Sequence, residues 1–192
     1  MGFILYVDKK DYFYYNVSVV GDKMNTLYLI TGPAGVGKST ISKEIALRKE
    51  KSVLIEGDDI YHHVIGSYVS PWKDGNHLNT FWKVCIETIK IYLNDGYDVV
   101  FNYIIEEENL EEIKKTFNNY KIKFVCLLTS GEDLIRRDKE RPEDCQMGDR
   151  CLVLLNDFKN KKFNSNNFLN TSNLSVLETV DIIEKEEKYI LK

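Results

Sequence analysis

A glycine-rich octapeptide near the start of this 192-residue chain narrows the choice of fold. It reads Gly32-Pro33-Ala34-Gly35-Val36-Gly37-Lys38-Ser39 and matches the spacing G-x-x-x-x-G-K-[ST]. The apolar run Leu27-Tyr28-Leu29-Ile30 before it predicts a strand, and Ile41 and Ile45 after it have helical spacing. A strand, a glycine loop and a helix in this order are typical of a phosphate-binding loop in an α/β fold.

The residue types in this loop indicate which groups of ATP or GTP it would hold. Glycines let backbone N–H groups converge on phosphate oxygens, and the start of the helix adds positive partial charge. We expect Lys38 to reach the β- and γ-phosphates and the Ser39 hydroxyl to bind Mg²⁺. The alternative is a glycine-rich turn without a ligand. The predicted nucleotide-binding residues are Gly32, Ala34, Gly35, Val36, Gly37, Lys38, Ser39 and Thr40.

Composition and charge exclude several classes of protein. The chain has 26 Lys and Arg against 30 Asp and Glu, and this net charge of −4 argues against a broad nucleic-acid-binding face. Its 43% apolar residues suffice for a buried core, but its apolar runs are too short to cross a bilayer. Its four cysteines form no C-x-x-C pair, which favours a reduced, cytoplasmic compartment.

The first 23 residues differ in pattern from the rest of the chain. They contain a short apolar start that charged residues interrupt, and they lack the pattern of a signal peptide. We expect residues 1–23 to be an appendage, with Met24 as the functional start, or else a short hairpin at the domain edge. Residues 24–192 are expected to form one domain.

Strand patterns and helix patterns alternate from Met24 onward. The predicted strands are residues 27–30, 52–55, 97–105, 122–129 and 167–169. The predicted helices are residues 38–50, 76–94, 106–118 and 151–158, a helix that starts at Ser130 and that Pro142 breaks, and a last one that Ser175 and Glu178 cap. This alternation predicts a three-layer α/β domain whose parallel sheet is covered by helices on both faces.

An acidic turn, residues 56–63, comes after the second predicted strand. Because ligands of open parallel sheets bind beyond the carboxyl ends of the strands, this turn is expected near the phosphates. Asp58 is predicted to accept the proton of an attacking hydroxyl or to hold Mg²⁺. The alternative is that Asp58 and Asp59 only cap a helix beginning at Ile60.

Four of the five arginines fall within residues 136–150, which we call the arginine segment. Arginine suits bidentate contacts with phosphate. Arg137 and Arg141 are four residues apart, which predicts that they share a helix face and form a lid over the nucleotide. Arg136 is expected to pair with the acidic residue four positions later, and Arg150 to add a second phosphate contact.

These segments together resemble the small P-loop kinases, a group that includes shikimate, gluconate and nucleoside-monophosphate kinases and chloramphenicol phosphotransferase. Within the group, the sequence is most similar to bacterial P-loop proteins, some of which are labelled gluconate kinases. The resemblance covers residues 24–192. It is carried by Gly32 to Ser39, Glu56-Gly57-Asp58, Pro71-Trp72, Leu134-x-x-Arg137-x-x-x-Arg141, Gln146-Met147-Gly148-x-Arg150-Cys151 and Asn170-Thr171-Ser172.

The resemblance implies a P-loop kinase-like domain with a five-stranded parallel sheet in the order 2-3-1-4-5. It implies transfer of the γ-phosphate from ATP, with Mg²⁺, to a hydroxyl of a small molecule. Asp58 would be the base or a carboxylate of the metal shell, and Arg137 and Arg141 would belong to the lid. Thr171 and Ser172 would lie near the adenine.

Two positions depart from the pattern of this group. Asn102, at the end of the third predicted strand, stands where such kinases carry an aspartate, and an amide brings no charge to a Mg²⁺ shell. The residues after Asp58 also lack the leucine-histidine-proline sequence of gluconate kinases, which leaves a gluconate acceptor poorly supported.

The acceptor pocket is expected within residues 61–82, where aromatic residues are frequent. The predicted substrate-binding residues are Asp58, Tyr61, His62, Trp72 and Arg150, whereas Trp82 is expected in the core. The predicted partners are ATP and a small hydroxyl compound, bound by a monomer or homodimer. The alternatives are a nucleotide or nucleoside kinase and an ATP-binding switch without efficient turnover.

Overall fold

The computed structural model describes residues 25–143 and 146–191, so the predictions for residues 1–23 and Met24 lie outside it. The strands are β1 (Thr26–Thr31), β2 (Ser52–Glu56), β3 (Asp98–Asn102), β4 (Lys121–Leu128) and β5 (Phe168–Asn170). The α-helices are α1 (Lys38–Leu47), α2 (Gly57–Tyr61), α3 (Leu78–Asn94), α4 (Glu107–Thr116), α5 (Gly131–Lys139), α6 (Arg150–Lys159) and α7 (Val176–Lys185). None of the helices in this part of the chain is long and apolar enough to cross a membrane.

The five strands form one parallel sheet in the order β2-β3-β1-β4-β5. This confirms the predicted α/β class and the predicted strand order. The chain order reverses at β1, which pairs with β3 on one side and with β4 on the other. A reversal of this kind opens a crevice at the carboxyl ends of the central strands, and the glycine loop begins at the carboxyl end of β1.

Each face of the sheet has its own apolar core. Successive residues of β1 point to opposite faces, so that Leu27 and Leu29 join one cluster while Tyr28 and Ile30 join the other. The helices α3 and α4 pack on the first cluster, and α1, α5 and α7 pack on the second. The helix α6 contributes Phe158 to the first cluster and Leu155 to the second. The predicted three-layer arrangement is therefore confirmed.

The short helix α2 begins earlier than the sequence pattern indicates. It starts at Gly57, and its N-cap position is Glu56 rather than an aspartate. Asp58 and Asp59 therefore lie within its first turn, where a carboxylate is favoured by the positive end of the helix. The expected helix start at Ile60 is therefore wrong, and neither aspartate occupies the N-cap position.

The strand β3 is shorter than predicted and ends at Asn102. Beyond it the backbone leaves the sheet, and the N–H of Ile105 donates to the Thr31 hydroxyl at 3.0 Å. The apolar residues 103–105 are at least partly buried without belonging to the strand, which is why their hydrophobicity misleads a prediction from sequence.

The helix α5 ends before the second lid arginine. Its last residue is Lys139 and its C-cap is Glu140, so Arg141 lies outside it. The prediction that Arg137 and Arg141 share a helix face is wrong because Pro142 disfavours helical backbone at the residue before it.

Candidate active site

The glycine loop is held in a conformation that only glycine adopts readily. Gly32 has φ 140°, and a Cβ at this position would lie 2.4 Å from the carbonyl oxygen of Leu127. Gly37 has φ 104° and forms the N-cap of α1. The loop therefore wraps around the N-terminus of a ten-residue helix, as a phosphate cradle requires.

Lys38 closes this loop. Its Nζ donates to the carbonyl oxygens of Gly32 and Pro33, each at 3.0 Å. Burial lowers the pKa of Lys38 to about 8; the charge of Asp58 opposes this shift and that of Arg141 adds to it. The ammonium group thus donates to two backbone carbonyl oxygens. A bound phosphate would offer it oxygen atoms in their place.

Glu56 is a site residue that the sequence interpretation did not include. As the last residue of β2, it accepts a hydrogen bond at 2.9 Å from the Ser39 hydroxyl, which is the predicted Mg²⁺ ligand. A carboxylate and a hydroxyl in contact are oxygen ligands of the kind Mg²⁺ prefers. A signal was present in the sequence, since Glu56 directly follows the predicted strand 52–55 and Asp58 comes two residues later.

A cavity of about 740 Å³, called the main cavity, lies beside the glycine loop. It is lined from the loop side by Ala34, Gly35, Gly37, Lys38, Ser39 and Thr40. It is lined from the opposite side by Asp58, Pro71, Trp72, Leu78, Trp82, Asn102, Tyr103, Ile104, Glu106 and Asn109. The arginine segment and α6 complete the wall with Arg137, Glu140, Arg141, Met147, Arg150 and Leu154.

The structure thus brings most of the predicted site residues to one cavity. Lys38, Asp58, Arg137 and Arg141, the four proposed catalytic residues, all line it. Asn102 lines it as well, and its side chain is 3% exposed with no hydrogen-bond partner for Nδ2 among the described residues.

The four arginines of the arginine segment have different surroundings. Arg137 reaches across to the loop and donates through Nη1 to the carbonyl oxygen of Val36 at 2.9 Å. Arg136 is exposed and forms ion pairs with Asp133 and Glu140, each at 3.1 Å, so the predicted surface pair is confirmed. Arg137 is therefore the arginine of this segment that contacts the glycine loop directly.

Asp138 holds the rest of the arginine segment together through hydrogen bonds. This role was not predicted from the sequence. Its buried carboxylate accepts hydrogen bonds from the N–H groups of Met147 at 3.0 Å and Gly148 at 2.8 Å, and Arg141 lies 3.4 Å from it. These bonds fold the chain back so that Arg141 and Arg150 face the same cavity. Nothing in a run of mixed charges marks this one aspartate as buried.

Arg150 and Trp72 meet at the rim of the main cavity. The guanidinium carbon of Arg150 lies 4.0 Å from the centre of the Trp72 ring, a cation–π contact between α6 and the segment after α2. The Trp82 ring is buried in the core, as predicted, and its edge also forms part of the cavity wall.

Two of the predicted acceptor-binding residues do not reach the main cavity. Tyr61 is 1% exposed, its ring stacks on His77 at 4.0 Å between centroids, and its hydroxyl donates to the carbonyl oxygen of Val69. His62 is exposed and stacks on Tyr68. The prediction that Tyr61 and His62 bind the acceptor is corrected accordingly: α2 turns Tyr61 into the core, and His62 lies just past its end.

A smaller cavity of about 240 Å³ lies on the other side of Arg137. Thr171 lines it together with residues of the loop and of α1, whereas Ser172 does not. The hydroxyl of Ser172 instead accepts from the N–H of Ser130 at 2.8 Å and so fastens the end of β5 to the start of α5. Thr171 thus lies beside the glycine loop and Arg137, whereas Ser172 does not line this cavity.

No known family model matches the sequence, and no curated protein matches it. Solved structures do match its fold. A gluconokinase from Sinorhizobium meliloti 1021 is 16% identical, with a TM-score of 0.61 over 84% of this chain and 91% of that one. The Deinococcus radiodurans tunicamycin resistance protein is 14% identical, with a TM-score of 0.62 over 83% of this chain and 93% of that one.

A chain in the Pnkp1/Rnl/Hen1 RNA repair complex also matches, with 20% identity and a TM-score of 0.57. The match covers 76% of this chain and 48% of that one. At these identities, the comparisons establish architecture. The protein therefore has the three-layer α/β fold of the small P-loop kinases, with the strand order that the sequence resemblance implies.

Proposed function

We propose that this protein is an ATP- and Mg²⁺-dependent phosphotransferase that acts on a hydroxyl of a small molecule. The observation that carries the proposal is that a single cavity is lined by Lys38 and Ser39 of the glycine loop, by Asp58 of α2, and by three arginines of the arginine segment. These are the groups that phosphoryl transfer needs, because its catalysis depends on positioning and on stabilising negative charge.

Each of these residues has a role in the proposed reaction. Asp58 accepts the proton of the acceptor hydroxyl, whose oxygen forms a new bond to the γ-phosphorus while the bond to the β,γ-bridging oxygen breaks. ADP leaves with the electron pair of that bond. Lys38, Arg137 and Arg141 stabilise the charge that develops on the transferring phosphate and on ADP.

Ser39, Glu56 and Asp58 would hold the Mg²⁺ ion. Their oxygen atoms fit its preference, and a site with few protein ligands suits an ion that keeps several waters and binds phosphates. Bound Mg²⁺ would neutralise part of the phosphate charge. Because Glu56 supplies a carboxylate next to Ser39, the amide at Asn102 does not leave the ion without an acidic partner.

Asn102 also supports a second candidate, an ATP-binding switch without efficient turnover. A side chain that brings no charge to the end of β3 is compatible with nucleotide binding in the absence of transfer. A nucleotide or nucleoside kinase remains the alternative acceptor class within the enzymes, since the wall formed by Trp72 and Trp82 would accept a planar base.

Acceptor-dependent release of ADP tests the proposal. The purified protein is supplied with ATP, Mg²⁺ and a panel of sugar acids, nucleosides, nucleoside monophosphates, and aminoglycoside- and phenicol-type antibiotics. We expect at least one acceptor class to stimulate ADP release in the wild type. Tight ATP binding without stimulation by any acceptor would favour the switch.

Replacing Lys38 by alanine provides the matched test of mechanism. The ammonium group is the only side-chain cation in the sequence of the loop, so Lys38→Ala should reduce the transfer rate by about 100-fold or more. Lys43→Ala, which removes an exposed lysine from the same helix, should leave the rate unchanged. Equal activity of the two variants would refute the assigned role of the loop.

A further inference from the structure

Asn102, which lines the main cavity, carries a buried hydrogen-bond donor that no described residue uses. Asn102 ends β3, and its side chain is 3% exposed. Its Nδ2 is buried and has no hydrogen-bond partner among residues 25–143 and 146–191. Because a buried donor without a partner destabilises a fold, such a group on a cavity wall indicates that a ligand atom completes it.

The register of the sheet fixes where this donor lies. Asn102 is paired with Ile30 of β1, two residues before the glycine loop, and with Glu56 of β2. Glu56 in turn contacts the Ser39 hydroxyl. Asn102 therefore lies between the strand that leads into the loop and the carboxylate that faces the predicted Mg²⁺ ligand, at the end of the cavity where a γ-phosphate would be held.

The charges around Asn102 indicate which kind of ligand atom its side chain would bind. Asp58 lines the cavity and Glu56 contacts the lining residue Ser39, so a carboxylate at position 102 would add further negative charge close to the oxygens of a transferring phosphate. An amide of the same size adds no negative charge and can donate. The partner that suits a buried N–H donor here is an anionic oxygen.

We infer that the Asn102 side chain donates a hydrogen bond to an oxygen of the γ-phosphate and so makes the site prefer ATP to ADP. The inference rests on the proposed function only in that ATP occupies the cavity; it does not depend on the acceptor. It assigns the amide a positioning role that a metal-binding aspartate at this position could not perform.

Calorimetric titration with Mg²⁺–ATP and Mg²⁺–ADP tests the inference. The wild type should bind ATP more tightly than ADP. Asn102→Ala should weaken ATP binding about 10- to 100-fold, the usual size for a hydrogen bond to a charged group, and leave ADP binding unchanged. Asn118→Ala, which removes an exposed asparagine, should change neither.

The isosteric variant Asn102→Asp separates this role from metal binding. A carboxylate cannot donate and repels the γ-phosphate, so ATP binding should fall at least as far as in Asn102→Ala. If Asn102→Asp instead binds Mg²⁺–ATP more tightly than the wild type, the position is a weakened metal site and the inference is overturned.

The stability of the nucleotide-free protein gives a readout that does not involve ATP. Asn102→Leu removes the unpartnered donor and retains an apolar contact surface, so its melting temperature should equal or exceed that of the wild type while the ATP preference is lost. A lower melting temperature together with an unchanged ATP-to-ADP ratio would show a purely structural role and overturn the inference. The acceptor assay remains separate, because loss of transfer with the ATP preference intact would refute the proposed function alone.

Discussion

Lys38 donates hydrogen bonds to two carbonyl oxygens of its own loop and is buried there. Its burial determines the pH range in which it loses its charge. Burial lowers its pKa to about 8, so that in the nucleotide-free protein the ammonium is charged below that pH and neutral above it. Phosphate oxygens stabilise the charged form and therefore raise this pKa when a nucleotide binds. Nucleotide binding must then take up a proton once the pH exceeds about 8.

The predicted consequence is that ATP affinity decreases as the pH rises above about 8, by up to about tenfold per pH unit. Calorimetry at pH values on both sides of this range, in buffers with different ionisation enthalpies, measures the proton uptake directly. The variant Lys38→Met should bind more weakly and show no uptake. An affinity that stays constant through this range in the wild type would contradict the assignment.

Residues whose chemistry belongs to a local motif are identifiable from the sequence, whereas residues whose role comes from tertiary contacts are not. The loop residues and Asp58 lie at the cavity because the backbone of a strand-end motif positions them. The prediction for Tyr61 fails because an aromatic residue in a polar segment gives no sign of whether it packs on His77 or faces a ligand. Asp138 is buried only because Met147 and Gly148 fold back onto it.

Among the helices, α2 depends on a close approach to the chain beyond β3. A Cβ at Gly57 would lie 2.6 Å from Cδ2 and 2.8 Å from Cγ of the Tyr103 ring, which is itself buried. Only glycine lets the first turn of α2 pack so closely, and this contact sets the position of Asp58, the next residue.

Gly57→Ala should therefore displace α2. We expect it to lower the free energy of unfolding by about 1–3 kcal/mol, as overpacking does. The transfer rate should decrease by more than the loss of folded protein would cause, because Asp58 moves with the helix. Urea denaturation and the initial transfer rate measure the two effects.

Gly66→Ala is the matched control for this change. A Cβ at Gly66 meets no atom within 4 Å, so stability and activity should both be retained. If Gly57→Ala were as active and as stable as Gly66→Ala, the packing of α2 on Tyr103 would not position the candidate base.

The lid depends in the same way on the buried carboxylate of Asp138. Asp138→Asn keeps one acceptor oxygen but turns an amide NH₂ towards backbone N–H groups, so at least one hydrogen bond is lost, at a cost of about 1–3 kcal/mol. We expect a higher KM for ATP and faster proteolysis within the arginine segment. The exposed Asp149, whose side chain does not cap α6, gives the control Asp149→Asn.

An unchanged KM in Asp138→Asn would show that the arginine segment holds its shape without this carboxylate.

The helix boundaries in the arginine segment explain why the lid was only partly predictable. Spacing alone placed Arg137 and Arg141 on one helix, whereas Pro142 ends α5 before Arg141. Arg141 reaches the cavity because Asp138 folds the next turn, and such a contact is not encoded in periodicity.

Across the protein as a whole, the parallel sheet explains why distant segments form one site. The glycine loop, Glu56 and Asn102 are separated in sequence but lie at the carboxyl ends of β1, β2 and β3, which meet at one edge. Alternating strand and helix patterns predicted the parallel sheet, since parallel strands require a helical crossover, whereas the strand order followed from the resemblance to the small P-loop kinases. The acceptor side was not predictable, because the segments that line it pack according to their tertiary contacts.

Transfer of a phosphate from ATP to another molecule is the activity proposed for the main cavity. Its most direct test tracks labelled γ-phosphate from ATP, with Mg²⁺ and the acceptor panel, through the wild type and Asp58→Asn. We expect the label to appear on an acceptor, and Asp58→Asn to slow its appearance by about 100-fold or more, the usual scale for loss of a general base. Label that remains on ATP, or that appears only as inorganic phosphate, would refute phosphotransfer to a small molecule.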